Sequence, residues 1–199
     1  MIIVFDLDDT LYSEITFVNG GFRAVAKFLR ISFNIEPELS YNFFKNTLNI
    51  SGRGNIFDKW LKKHNIYNKK LVKNCIKIYR YHNPNISLGK NSLKLLNNLQ
   101  NYPLYIVTDG NKLVQRNKLN ALKINRFFKK IYITHEYGIK NSKPSLHCFN
   151  LIKKRECCDW SDMIYIGDNP NKDFINLNKK GAYTIQILTK QFHKIKLGK

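Results

Sequence analysis

Short apolar runs alternate with longer stretches of helical periodicity along most of this chain. Residues 1–5, 104–107, 131–134, 163–166 and 183–188 are runs of strand length dominated by Ile, Val, Leu, Tyr and Phe. Between the later runs, 112–122 keeps Leu113, Leu119 and Leu122 near one helical face, 145–154 keeps Leu146, Phe149 and Ile152, and 171–179 keeps Phe174 and Leu177. Strands alternating with helices predict an α/β fold: a parallel sheet with right-handed crossovers.

About a hundred residues separate the first strand from the second, far more than a crossover needs. From residue 14 to 86 the pattern is helical throughout, in segments 17–33, 37–48, 56–64 and 69–81, broken at Glu36-Pro37, at Ser51-Gly52-Arg53-Gly54, at Asn65 and at Asn83-Pro84. The aromatics Phe17, Phe22, Phe28, Phe43, Phe44, Phe57, Trp60 and Tyr79 recur at helical spacing and are expected to form that insertion's core. The domain expectation is therefore a core from 1–13 and 87–199 with an all-helical lid or cap, 14–86, inserted. Residues 90–100, with Leu93, Leu95, Leu96 and Leu99, return to the core as a sheet-packing helix.

With 199 residues, 43% of them hydrophobic, the chain can bury one good core with a small second lobe. No run of about 18 apolar residues occurs, and no basic leader precedes the first strand, so a soluble cytoplasmic protein is expected, with no membrane partner. The four cysteines form no C-x-x-C pair, and reduced thiols account for them most simply. The net charge of +20 raises the question of a nucleic-acid partner. The lysines, however, are scattered in pairs over several predicted helices in a chain also rich in Asn and Ile. That pattern fits compositional drift, so no nucleic acid is expected, although a positive field still gathers small anions.

Chemistry gathers at the strand ends. After the first strand comes Asp6-Leu7-Asp8-Asp9-Thr10. Two carboxylates two residues apart at the carboxyl edge of a parallel sheet can share a divalent cation and leave one oxygen as a nucleophile. The plainer alternative is that Asp8 or Asp9 only caps a helix or turn. The second strand ends in Thr108-Asp109-Gly110-Asn111, a hydroxyl and a turn of amides suited to a phosphate oxygen. Lys143-Pro144 supplies a cation, and Asp168 to Asp173 adds carboxylates for a magnesium site. Together these are the parts for phosphoryl transfer through an aspartyl-phosphate.

In these four motifs the chain resembles the haloacid dehalogenase-like hydrolases, in the subfamily with a helical cap after the first motif. D-x-D-x-T falls on Asp6, Asp8 and Thr10, the second motif on Thr108, the third on Lys143, and G-D-x-x-x-x-D on Asp168 and Asp173. The resemblance implies a three-layer, Rossmann-like sheet core, Mg2+ as cofactor, and a small phosphorylated metabolite, a sugar phosphate or nucleoside monophosphate, as substrate. It implies that Asp6 carries the phosphate and that Asp8 donates and then accepts the proton. It also gives Thr108 with the amides of Asp109 and Gly110 the phosphoryl oxygens, and Lys143 the charge to be neutralised. Asp6, Asp168 and the backbone carbonyl of Asp8 hold the metal in this reading, Asp173 orients Lys143 or a metal-bound water, and Thr10 supports the loop. Asp8 favours phosphatase over dehalogenase, since dehalogenation has no alkoxide to protonate. Asp109 stands where many members have Asn, and the direction of its side chain is left open.

In the cap, Arg53 between two glycines and Arg80 are candidates for gripping the substrate's non-reacting end, set against plain solvated arginines. A phosphomutase or a catalytically idle binding protein on the same fold are the alternative functions, and a monomer or homodimer is expected.

Overall fold

The computed structural model describes residues 1–188 and divides into two units, one of residues 1–14 and 87 onward, the other of residues 15–86. Residues 189–199, at the end of the expected core segment, lie outside the described residues.

Among the described residues, the first unit holds five strands, β1 (Ile2–Phe5), β2 (Leu104–Thr108), β3 (Lys130–Ile133), β4 (Met163–Gly167) and β5 (Tyr183–Gln186), all parallel in the order β3-β2-β1-β4-β5. β1, β2 and β4 are apolar on both faces and buried on both, the pattern of a parallel sheet between two helical layers. Ile2 and Val4 pack with Cys148, Phe149, Ile152 and Leu177, while Ile3 and Phe5, on the opposite face, are equally buried. The fold is thus the expected three-layer Rossmann-like α/β core. In register, Phe5 stands beside Ile106 on one side and Ile166 on the other. Asp6, Thr108 and Asp168 consequently emerge at one edge, where the strand order turns about β1 and open α/β sheets bind ligands.

In the second unit, α1 (Glu14–Phe33, whose first residue belongs to the first unit), α2 (Pro37–Ser51), α3 (Ile56–Lys63) and α4 (Lys69–Tyr81) follow one another without a strand. Phe22, Phe44, Phe57 and Trp60 are buried among Val25, Leu29, Leu61 and Cys75, with Phe28, Phe43 and Tyr79 packed against them. Arg53 and Arg80 are exposed in this unit.

The first unit continues with α5 (Lys90–Asn98), α6 (Lys112–Leu122), α7 (His147–Glu156), α8 (Pro170–Asp173) and α9 (Ile175–Lys179). Three helices depart from the apolar-stripe reading. α5 buries Leu96 fully but leaves Leu93 and Leu95 exposed. On α6, Leu119 and Leu122 are buried, Leu113 is exposed, and the inward positions next to them are Gln115 and Lys118. The single helix expected over 171–179 is two short ones, parted at Phe174, where the Asp173 carboxylate turns inward against the end of β4. All four cysteines are free thiols. Among the described residues no helix is long and apolar enough to cross a membrane.

Candidate active site

The turn after β1 is shaped by Asp9. It sits at φ 52°, in the left-handed region that Asp tolerates, and its carboxylate accepts the amide of Glu14 at 2.8 Å, opening α1. Helix capping is therefore the work of Asp9 and leaves Asp6 and Asp8 for other partners. Thr10 has a buried hydroxyl with no hydrogen-bond partner.

Asp6 is held in the sheet by its amide, which donates to Ile166 O at 2.8 Å, and its Oδ1 lies 2.9 Å from Lys143 Nζ. Lys143 is buried. Its ammonium also donates to Asp173 Oδ1 at 2.8 Å and to the hydroxyl of Tyr165 at 3.0 Å, while that hydroxyl donates to the same Asp173 oxygen at 3.0 Å. Asp173 Oδ2 accepts the amide of Asn169 at 2.8 Å. Gly167 must be glycine here, because a Cβ on it would stand 2.6 Å from Asp173 Oδ2.

Burial pushes the Asp6 carboxyl up to about 7, with Asp173 and Asp8 adding to the rise and Lys143 opposing it. Burial alone would lower Lys143, yet Asp6, Tyr165 and Asp173 hold it well above the ordinary lysine range. The lysine is thus a fixed cation beside a carboxylate that is costly to ionise.

Asp109 points away from this cluster. Its Oδ1 accepts the hydroxyl of Thr134 at 2.7 Å and the amide of Lys143 at 3.0 Å, so it joins the end of β2 to the loop carrying the lysine. The Lys143-Pro144 bond is cis. Gly110 takes φ 133°, and the next residue, Asn111, caps α6 by accepting the amides of Leu113 and Val114.

Asp8 is ringed by donors, two of which come from more than a hundred residues away. Lys118 Nζ reaches its two oxygens at 2.8 and 2.9 Å, Tyr12 donates to Oδ1 at 2.5 Å, and Gln115 Nε2 donates to Oδ2 at 3.0 Å. Burial would raise this carboxyl, but the charge of Lys118 and the three sets of hydrogen bonds hold it below the ordinary range. Gln115 Nε2 also donates to Thr108 Oγ1 at 2.7 Å. Of the residues named from the sequence, Asp6, Lys143 and Asp173 are in direct contact, and Asp8 and Thr108 share a partner. The reading missed Gln115, Lys118, Tyr165 and Thr134; the one available signal was a Gln and a Lys at i, i+3 on the apolar side of α6.

Asp6, Asp168 and Asp173 each offer an oxygen, all within 4.8 Å of one another. Both oxygens of Asp173 already accept hydrogen bonds, from Lys143 and Tyr165 and from the amide of Asn169, which commits that carboxylate to the lysine and to the turn after β4. An oxygen set with few carboxylates suits Mg2+, and a cation there would offset the cost of ionising Asp6. The donor set fits the metal.

The family model for haloacid dehalogenase-like hydrolases matches residues 3–187. A glyceraldehyde 3-phosphate phosphatase of Methanocaldococcus jannaschii is 31% identical over 195 residues, spanning 94% of this chain and 84% of that protein. The protein of the same name from Pyrococcus abyssi is 27% identical over 92% of this chain and 79% of its own. Among solved structures, the magnesium-bound hydrolase YfnB of Bacillus subtilis superposes with a TM-score of 0.65 at 20% identity, covering 94% of this chain and 86% of its own. A phosphatase from Thermococcus onnurineus gives 0.62 at 18%, over 98% and 89%. Sheet order, motif placement and these matches agree: the chain belongs to the haloacid dehalogenase-like hydrolases, in their phosphatase branch.

Proposed function

We propose that this protein is a magnesium-dependent phosphatase of small phosphorylated metabolites that works through an aspartyl-phosphate on Asp6, with a triose phosphate such as glyceraldehyde 3-phosphate as its substrate. The observation that carries the reading is Lys143, buried and shared at hydrogen-bond distance between Asp6 and Asp173 beside a second acidic strand end. The substrate class rests on relatives named for glyceraldehyde 3-phosphate and favours a sugar phosphate over a nucleoside monophosphate.

In this mechanism an oxygen of Asp6 attacks phosphorus and the bond to the ester oxygen breaks. Asp8, whose carboxyl is held low in the free protein, takes up a proton from solvent as the substrate binds and gives it to the leaving oxygen. A water then attacks the phosphorus of the acyl phosphate, passing its proton to Asp8 and releasing inorganic phosphate and free Asp6. Lys143 neutralises charge on Asp6 and on the phosphoryl group, and Thr108 with the amides of Asp109 and Gly110 holds the phosphoryl oxygens. Asp6, Asp168 and the carbonyl of Asp8 would hold the magnesium, which supplies charge neutralisation at the transferring group when bound.

Turnover of a panel of phosphorylated metabolites with and without Mg2+ tests this. Triose phosphates should be hydrolysed fastest, and only with the metal; undiminished turnover after thorough chelation would sink the metal assignment. Asp6→Asn should fall to background with no phosphate adduct. Asp8→Asn should lose roughly a hundredfold to ten-thousandfold and accumulate phosphoprotein from an aryl phosphate, seen by mass spectrometry after rapid quenching. An adduct on Asp6→Asn would overturn the roles.

A further inference from the structure

Gln115 and Lys118 lie three residues apart on α6, and both are almost fully buried. A helix surface pays heavily for a buried amide and a buried ammonium unless each meets partners. Here the partners are the two groups whose separation matters to the proposed chemistry. The Gln115 Nε2 donates to Asp8 at 3.0 Å and to Thr108 at 2.7 Å, so one amide nitrogen fixes the spacing between the proton-transfer carboxylate and the phosphoryl-binding hydroxyl. The turn after β2 runs close beside its side chain: a Cβ on Gly110 would come into ordinary contact with Gln115 Cγ and Cδ, at 3.4 Å. Lys118 grips both oxygens of Asp8 and lies 3.5 Å from Glu14, which ties the grip to the start of α1.

We propose that Gln115 and Lys118 are positioning residues for the proton-transfer step: they set where the Asp8 carboxylate stands relative to a phosphoryl group held by Thr108. Neither touches the reacting atoms. Their effect passes through Asp8, and the inference rests on the assignment of Asp8 as acid and base made above. An interaction felt only where a proton moves lowers the rate of the steps that need the proton and spares those that do not. Phosphoryl transfer from an activated aryl phosphate scarcely needs a proton donor. Transfer from an alkyl phosphate does, and so does attack of water on the phosphoenzyme.

The experiment compares p-nitrophenyl phosphate with glycerol 3-phosphate in wild type, Gln115→Met, Lys118→Met, Lys118→Arg and Asp8→Asn, following phosphoenzyme formation and decay by rapid quench. Gln115→Met keeps the volume and removes both N–H donors, so it answers the question even where Lys118→Met leaves Asp8 too poorly compensated to fold. The expected result is a loss of about tenfold or more on glycerol 3-phosphate, and a similar slowing of phosphoenzyme decay, with phosphoenzyme formation from the aryl ester changed by less than about threefold. Lys118→Arg should recover part of the loss. Equal losses in phosphoenzyme formation from both esters in Gln115→Met would overturn the proposal and make the pair merely structural. If Asp8→Asn itself shows no preference between the esters, the reading of Asp8 as acid fails first. If Asp8→Asn discriminates and Gln115→Met does not, the positioning proposal alone falls.

Discussion

At the scale of single residues, the most consequential fact is that two aspartates two positions apart are driven in opposite directions. Burial lifts Asp6 to about 7, from an ordinary 3.8, whereas Lys118 overcomes burial at Asp8 and holds it low. A carboxyl raised in the folded state takes up a proton on folding between pH 3.8 and about 7, so its contribution to stability falls as pH rises through that window and is constant above it. Asp8 has the reverse sign: its stabilisation is present above the unfolded value and is lost as pH falls through its lowered folded value. Asp6→Asn removes the first liability and leaves the second in place. Its melting temperature relative to wild type should therefore climb from about pH 4 to about pH 8, measured by thermal unfolding at fixed ionic strength. A difference that stays flat across that range would show that Asp6 ionises without penalty. Because an ion at Asp6 competes with its proton, Mg2+ should raise the wild-type melting temperature more at about pH 8 than at about pH 5.

At the scale of elements, α1 illustrates how packing overrides propensity. Gly20 and Gly21 sit inside a 20-residue helix, where glycine costs up to about 1 kcal/mol against alanine. A Cβ on Gly21 would stand 2.5 Å from the ring of Tyr79 and 3.1 Å from its backbone oxygen, and one on Gly20 would meet His82 at 2.8 Å. The glycines let α1 and the end of α4 come together. Gly21→Ala should destabilise by roughly 1–3 kcal/mol despite the better helix former, read as a shift in the denaturant midpoint. The control is Gly54→Ala, in the turn before α3, where nothing lies within 4 Å; it should be neutral or stabilise by up to about 1 kcal/mol. Equal effects at the two positions would remove close helix packing as the cause.

At the scale of the whole molecule, charge is unevenly assigned. Eight of the 14 acidic residues, Asp6, Asp8, Asp9, Glu14, Asp109, Glu136, Asp168 and Asp173, belong to the sheet's carboxyl edge and the segments that directly follow it. The remaining six are spread over a chain with 34 lysines and arginines, most of them solvated. Such a field draws phosphorylated anions toward the protein without contributing to the chemical step. Raising salt from about 0.05 to about 0.5 M should thus increase KM for a phosphorylated substrate several-fold while kcat changes little, since screening shortens the reach of solvent-exposed charge. A KM indifferent to salt would leave the lysines no part in substrate capture.

The sequence by itself determined the sheet, the helices between its strands, the long helical insertion, and the placing of Asp6, Thr108 and Asp168 at strand ends. Those features are written in local periodicity and in motif spacing, which a linear reading can see. Where periodicity was read too literally, over 90–100 and 171–179, local geometry at Leu93, Leu95 and Phe174 set the outcome instead. Only the tertiary structure decided which way the polar side chains face. Asp109 turns to Thr134 and to the Lys143 amide, 25 and 34 positions away, and Asp8 is gripped by Gln115 and Lys118 from 107 and 110 positions away. No local pattern encodes such a pairing. Lys118, one of 34 basic residues, looks in the sequence like every solvated one; burial beside a specific carboxylate is what sets it apart, and burial is a property of the folded chain.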